Sequence, residues 1–104
     1  GVLSQVVNLP FNIRDRYGFA SFSDGRFGFI GCGYIPVGSD VNYFNDLWRF
    51  DATRNSWKRL CNVPGGGRAE PIGFIANSYI YIGGGSLVDN PSLAFKDLWR
   101  MRLQ

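Results

Sequence analysis

Arginines at repeated positions, with acidic neighbours, are the first candidates for ligand chemistry. Arg16 and Arg68 are 52 positions apart, and acidic side chains stand near them at Asp15 and Glu70. A guanidinium group offers a planar fork of hydrogen-bond donors that fits a carboxylate or a phosphate. The sequence therefore predicts Arg16, Arg68 and Glu70 as candidate ligand-binding residues.

A second candidate set combines aromatic and polar side chains: Tyr34, Asp40, Tyr43, Asp89 and Asn90. A tyrosine ring can stack on a sugar ring, and neighbouring acids can accept hydrogen bonds from its hydroxyl groups. Residues of these types are equally ordinary in exposed loops. We predict Tyr34, Asp40, Tyr43 and Asp89 as ligand-binding residues, with an ordinary loop role as the alternative.

Other kinds of site find little support in the residue types. The chain has no histidine, which removes the Ser-His-Asp and Cys-His arrangements and a Cys/His zinc site. Cys32 and Cys61 lack CxxC spacing, so we expect free thiols, with a disulfide as the alternative. The glycine runs at 65–67 and 83–85 are not followed by the Lys-Ser/Thr of a phosphate loop. We expect no catalytic residue, no metal and no cofactor.

Length and composition indicate one folded domain of short strands. The chain has 104 residues, of which 45% are hydrophobic, 16% aromatic and 18% charged, with 14 glycines. This mixture is typical of strands joined by tight turns. The net charge of +3 is scattered without a basic run, so we expect no nucleic-acid partner. No apolar stretch is long enough to cross a bilayer, so we expect no membrane span.

An internal duplication organises the elements that must position these residues. Residues 27–33 correspond to residues 79–85 at a spacing of 52, and residues 44–49 correspond to residues 95–100 at a spacing of 51. Such agreement is the signature of a repeat architecture. It predicts two copies of one structural unit.

Each unit is predicted to contain antiparallel strands separated by turns and one long loop. Asp24-Gly25 is predicted to form a two-residue hairpin turn with positive φ at both positions, and Asn77-Ser78 is the second predicted turn. The long loops are predicted at 34–45 and 86–95. The predicted strands are 17–23, 27–31, 47–50 and 56–61 in the first unit, and 71–75, 79–82 and 97–102 in the second.

These motifs resemble the kelch repeat of β-propellers, the class that includes the central domain of galactose oxidase. The resemblance rests on Arg16, Gly31-Cys32-Gly33, the segment 45–51 and Asn55-Ser56-Trp57. It implies an all-β fold with two four-stranded antiparallel blades, each typical of a propeller. Cys32 replaces one glycine of the usual pair, and the second unit lacks its Trp-bearing strand.

The resemblance also implies a division of the chain into blades. Residues 1–10 would supply the outer strand of a split blade, with Leu3 to Val7 as the strand itself. Residues 16–64 would form a complete blade, and residues 68–104 three strands of the second blade. Two blades alone leave apolar faces exposed, so we expect self-association or the rest of a larger propeller. Three copies making six blades are our first expectation, and four copies are the second.

A binding function is what the resemblance and the residues favour together. We expect a non-catalytic module that binds a protein or a glycan through the face lined by the loops 10–16, 34–45, 64–68 and 86–95. In a structural alternative, the two arginines bond carbonyls and acids between blades. In an enzymatic alternative resembling bacterial kelch mutarotases that act on sialic acid, they hold the sugar carboxylate while Glu70 moves protons.

A third alternative is a mere fragment of a larger kelch propeller, without a function of its own. The resemblance to bacterial kelch proteins also implies a cell-envelope or secreted location.

Overall fold

The computed structural model describes residues 1–6, 9–10, 13 and 15–103, and within them the protein is all-β. The chain folds into short antiparallel sheets. Its strands are β1 Ala20–Ser23, β2 Phe27–Gly31, β3 Tyr34–Val37, β4 Asp40–Tyr43, β5 Asp46–Asp51, β6 Ser56–Asn62, β7 Ile72–Ala76, β8 Tyr79–Gly83, β9 Ser86–Leu87, β10 Asn90–Ala94 and β11 Leu98–Arg102.

The first unit forms one four-stranded antiparallel sheet in the order β1-β2-β5-β6. Its four strands were predicted to within a few residues. In the structure, β2 alternates buried and half-buried positions, as a strand with one core face should. The turn between β1 and β2 differs from the prediction. Only Gly25 has positive φ, while Asp24 accepts hydrogen bonds from the backbone of Arg26 and Phe27 through its carboxylate.

The second unit forms a three-stranded antiparallel sheet in the order β11-β8-β7. The predicted turn at Asn77 and Ser78 is confirmed, and both residues have positive φ, at 51° and 68°. That pair of angles suits the twist of the two strands it joins. Both units are therefore blade-like sheets, as the repeat predicts.

The core lies between the two sheets, where one glycine of each sheet admits a large side chain of the other. A Cβ built on Gly31 would come within 2.7 Å of the Ile82 side chain, and one on Gly73 would overlap the Phe22 ring. Phe29, Leu47, Ile80 and Ile82 are buried in the same cluster. The sheets therefore stack face to face, at the close distance that these two glycines permit.

The predicted long loops are hairpins rather than irregular segments. β3 pairs with β4, and β9 pairs with β10. Pro36 and Pro91 lie in these strands, and a proline in the sequence argues against a strand. A two-stranded hairpin, however, consists only of edge strands, where proline is tolerated. The first predicted strand begins later than expected, at Ala20, because Gly18 has a φ of 60° and interrupts the extended backbone.

The predicted outer strand at Leu3 to Val7 lies partly outside the described residues. Residues 1–6 form no strand, and the Val2 and Leu3 side chains are exposed. The predicted outer strand would pair with a blade that is not part of this single chain. The division into split and complete blades therefore stays a prediction. Both cysteines are free thiols, and Cys32 is buried.

Candidate functional site

Two of the connections predicted to share a face, 64–68 and 34–45, meet at one end of the sheets. Arg68 donates its backbone N–H to the carbonyl of Phe44 at 3.2 Å, and Gly33 donates to the carbonyl of Arg68 at 2.9 Å. These contacts join the loop 64–68 to the β3–β4 hairpin. The prediction that the long connections lie together is confirmed for these two.

Arg16 lies beneath this face in an ion pair. Its side chain donates to both carboxylate oxygens of Asp46, at 2.5 and 3.2 Å, and to the carbonyl of Cys32 at 3.0 Å. The guanidinium carbon lies 3.8 Å from the centre of the Phe44 ring. With only 6% of the residue exposed, the fork is directed at protein acceptors.

Arg68 repeats this arrangement in the second unit. It donates to both oxygens of Asp97, at 2.5 and 3.0 Å, and lies 4.0 Å from the centre of the Phe95 ring. Its remaining hydrogen bonds go to the carbonyls of Pro64, Gly66 and Gly84, and none of the residue is exposed. Both predicted arginines thus have a structural role, and contact with a ligand stays a prediction.

The carboxylates of these pairs are held in the charged form. Asp97 has its pKa lowered to about 2 by the hydrogen bond from Arg68, against the effect of burial, and Trp99 donates to it at 2.8 Å. Burial alone would raise the pKa of Asp46, yet the hydrogen bonds from Arg16 and Trp48 hold it below its ordinary value. Neither acid was predicted from the sequence, although each lies 29 or 30 positions after its arginine.

Three tyrosines form a row above these pairs, which we call the tyrosine row: Tyr17, Tyr34 and Tyr43. Tyr17 and Tyr34 exchange backbone hydrogen bonds at 2.8 and 2.9 Å. The ring centres are 5.9 Å apart between Tyr17 and Tyr34, and 6.4 Å between Tyr34 and Tyr43. Tyr17, which was predicted to begin a strand, is 59% exposed.

Two carboxylates flank the tyrosine row. The Tyr43 hydroxyl donates to Asp89 and accepts from the backbone N–H of Asp89 at 3.2 Å. Burial and this carboxylate raise the pKa of Tyr43. Glu70 is exposed, and Gly18 lies between it and the Tyr34 ring, because a Cβ on Gly18 would meet Tyr34 at 3.0 Å and Glu70 at 3.4 Å.

The structure does not bring every predicted residue into this cluster. Asp40 is exposed at the tip of the β3–β4 hairpin, opposite Val37, whereas Tyr34 and Tyr43 pair at its base. Asn90 is exposed and accepts a hydrogen bond from the Ser92 hydroxyl. Within the described ranges, no group of three or more acidic or cysteine side chains is arranged to hold a metal ion.

The tyrosine row is absent from the equivalent place in the second unit. The bridge between Tyr17 and Tyr34 corresponds to one between Ala69 and Ser86. The Tyr34–Tyr43 pair at the base of the hairpin likewise corresponds to Ser86–Ala94. The backbone arrangement therefore forms without aromatic side chains. The rings in the first unit exceed what the fold requires.

The architecture is that of a kelch-like β fold, with stacked antiparallel sheets and one Arg–Asp pair per unit. No protein-family model and no curated protein matches the sequence. Among solved structures 45 chains match. One of them is the structure of YjhT, with 25% sequence identity and a TM-score of 0.55. The match covers 67% of this chain but only 21% of YjhT.

One further finding concerns membranes. Across the part of the chain that the structure describes, no helix has the length and apolar character needed to span a bilayer.

Proposed function

We propose that this protein is a non-catalytic, kelch-like propeller module that binds a protein or glycan ligand through its long-loop face, and we favour a glycan. The observation that carries the proposal is the tyrosine row with its two flanking carboxylates. The second unit forms the corresponding bridge and hairpin-base pair with Ala69, Ser86 and Ala94, although its hairpin contains a register shift, so these backbone pairings do not depend on the three rings.

The chemistry of the row suits the flat, apolar face of a sugar. A tyrosine combines a large apolar ring with a polar tip, and it loses little conformational freedom on binding. The Asp89 carboxylate accepts the Tyr43 hydroxyl, and the exposed Glu70 side chain lies across Gly18 from the Tyr34 ring, so both acids are near enough to offer acceptors to sugar hydroxyls. A rigid scaffold presenting such loops is a common arrangement for binding.

The test is binding of oligosaccharides to Tyr34→Ala, with Tyr79→Ala as the matched control. Tyr34 is the middle ring, so its removal should weaken binding about tenfold, which corresponds to about 1.4 kcal/mol. Tyr79 lies next to the turn at the opposite end of the sheet, and its loss should leave affinity unchanged. Titration by isothermal calorimetry or NMR measures both. Equal affinities in the two variants would argue against the proposal.

An enzymatic role in sugar anomer interconversion is the second candidate, and Glu70 favours it. This exposed acid has a φ of 53°, a conformation that costs a non-glycine residue energy, and the equivalent position in the first unit is Gly18. Strained residues concentrate at functional sites. Glu70→Gln should then abolish exchange between anomers of sialic acid, followed by NMR, while an unchanged rate would remove Glu70 from the reaction.

The exposed faces of the two sheets support a further part of the proposal. We infer that further blades cover them, contributed by other copies of this chain, with three copies favoured, or by the rest of a larger propeller. Repeat units of this kind are stabilised by their neighbours. The measurement is the mass of the protein in solution.

A further inference from the structure

We infer that the tyrosine row selects neutral or amino sugars and discriminates against acidic ones. This inference rests on the proposed glycan binding and specifies the class of ligand. Its evidence is the charge that surrounds the row, together with the way the two nearby arginines are used.

The exposed charges of the loop face are mostly negative. Among the described residues of these four loops, the exposed charged side chains are Asp15, Asp89 and, at the hairpin tip, Asp40. The exposed acid Glu70 and the exposed base Lys96 follow just after the loops 64–68 and 86–95. Arg14 also belongs to these loops in the sequence, and it lies outside the described residues. A glycan bearing carboxylates would bring like charges together within a few ångströms, which is unfavourable.

The cationic groups that could compensate lie below the surface. Arg16 is paired one-to-one with Asp46, and Arg68 with Asp97. Each guanidinium also faces an aromatic ring, at 3.8 and 4.0 Å. To hold a sugar carboxylate, an arginine would have to leave its acid buried and unpaired, which is costly. Among the described residues of this face, both arginines are therefore committed to buried carboxylates rather than to the anion of a sialic acid.

The two flanking carboxylates offer acceptors, not donors. Asp89 already accepts the Tyr43 hydroxyl, and an aspartate carboxylate has about four acceptor positions in all. Glu70 lies beside the Tyr34 ring with its side chain exposed. Groups that complement these acceptors are sugar hydroxyls and, with additional charge attraction, the ammonium group of an amino sugar.

The experiment compares three probes of similar length with the intact chain: a neutral gluco-oligosaccharide, a glucosamine oligosaccharide and an oligogalacturonate. Affinities are measured by NMR titration at low and high salt. We expect the acidic probe to bind at least about tenfold more weakly than the neutral one, with the difference reduced at high salt because screening weakens like-charge repulsion.

A double variant separates charge from fold. Glu70→Gln with Asp89→Asn keeps the shapes and one acceptor oxygen per side chain, so the acidic probe should regain affinity and the glucosamine probe should lose it. Asp51→Asn, at a turn on the opposite face, is the control and should change neither.

The outcomes distinguish this inference from the proposal beneath it. Equal or tighter binding of the acidic probe would overturn the inference and leave glycan binding standing. An acid-to-neutral ratio unchanged in the double variant would also overturn it. If none of the three probes binds, glycan binding and the inferred selectivity both fail.

Discussion

At the scale of single residues, the end of the second strand in each unit shows how glycine and its substitutes are used. Cys32 and Gly84 occupy equivalent positions and share a φ of 64°. The first unit therefore tolerates a side chain in a left-handed conformation, and that side chain is buried, with burial raising the pKa of the Cys32 thiol to about 11. The thiol fills core space and is poorly suited to nucleophilic chemistry.

Two neighbouring glycines should respond very differently to alanine. A Cβ on Gly84 would meet nothing closer than the Ile72 side chain at 3.9 Å, so Gly84→Ala should cost only the strain of its φ, about 1 kcal/mol. A Cβ on Gly83 would overlap the carbonyl of Asp97 and come within 2.7 Å of the Leu98 Cα. Gly83→Ala should therefore cost about 3 kcal/mol or prevent folding.

Urea unfolding of the two glycine variants, followed by tryptophan fluorescence, measures the difference. Equal losses of unfolding free energy would mean that β8 and β11 do not approach as closely as the structure shows.

The residue scale also shows how far the sequence could predict the site. The residue types alone predicted three members of the candidate site: Tyr34, Tyr43 and Asp89. In the structure the Tyr34 ring lies next to the Tyr43 ring, and the Tyr43 hydroxyl bonds Asp89. Arg16 and Arg68 were identified for their charge, yet their buried partners give them a structural role. Burial depends on contacts between residues about 30 positions apart, which a motif of a few residues does not contain.

At the scale of elements, the Arg68–Asp97 pair connects the loop 64–68 to the strands β8 and β11. The guanidinium bonds carbonyls at Pro64 and Gly84 as well as the carboxylate that precedes β11. Removing either partner leaves the other buried or half-buried without its counterion, which is strongly destabilising. The pair therefore holds three segments of the second unit together.

This pair predicts a specific acid sensitivity. The pKa of Asp97 is lowered from 3.8 to about 2 in the folded protein, so its stabilising contribution is complete above pH 3.8 and is lost as the pH falls through about 2. The shift corresponds to about 2 kcal/mol of unfolding free energy. Urea titrations between pH 6 and pH 2 should show this loss in the wild type.

An isosteric variant tests the assignment of that acid sensitivity. Asp97→Asn should be less stable at pH 6 and should lose less stability on acidification, whereas Asp40→Asn at the exposed hairpin tip should follow the wild-type profile. Parallel pH profiles for wild type and Asp97→Asn would contradict the role given to the pair.

Elements were predicted well where alternation is regular and poorly where proline interrupts it. β2 was predicted with its observed bounds because Phe27, Phe29 and Gly31 alternate cleanly. The hairpin β3–β4 was assigned to a loop, although Gly38-Ser39 between Val37 and Asp40 is a two-residue turn signal. Pro36 concealed it. Periodicity alone does not reveal that an isolated hairpin has only edge strands.

At the scale of the whole molecule, each sheet has one face in the core and an apolar outward face, which is exposed on the second sheet and half-buried on the first. On the second sheet, the outward face carries Ile72 and Phe74, which are 57% and 41% exposed, with the Tyr81 ring stacked on Phe74 at 4.9 Å. On the first sheet, the outward face carries the half-buried side chains of Ile30 and Trp48, which point away from Phe29. Contiguous exposed apolar surface of this kind marks an interaction site.

The internal repeat indicates what fits these faces. The first sheet contacts the second through Phe22 and Phe29. Their equivalents in the repeat are Phe74 and Tyr81, which lie on the exposed face of the second sheet. The second sheet faces the first with Ile82 and Trp99. Their equivalents are Ile30 and Trp48, which lie on the outward face of the first sheet. A second copy placed head to tail would therefore repeat the internal interface. One difference is Ser21, which stands where Gly73 admits the Phe22 ring, so the ring of Phe74 would sit farther out.

Head-to-tail assembly predicts both a mass and a variant that abolishes it. Light scattering coupled to size exclusion should give three chains, or four as the second expectation, since heterologous contacts can close into rings. Phe74→Ser should return the protein to single chains without unfolding it, because Phe74 faces away from the core. Val37→Ser, which also removes an exposed apolar side chain but at the hairpin tip, should leave the assembly intact. A wild-type mass of one folded chain would exclude self-closure, and the exposed faces would then require blades from a longer polypeptide.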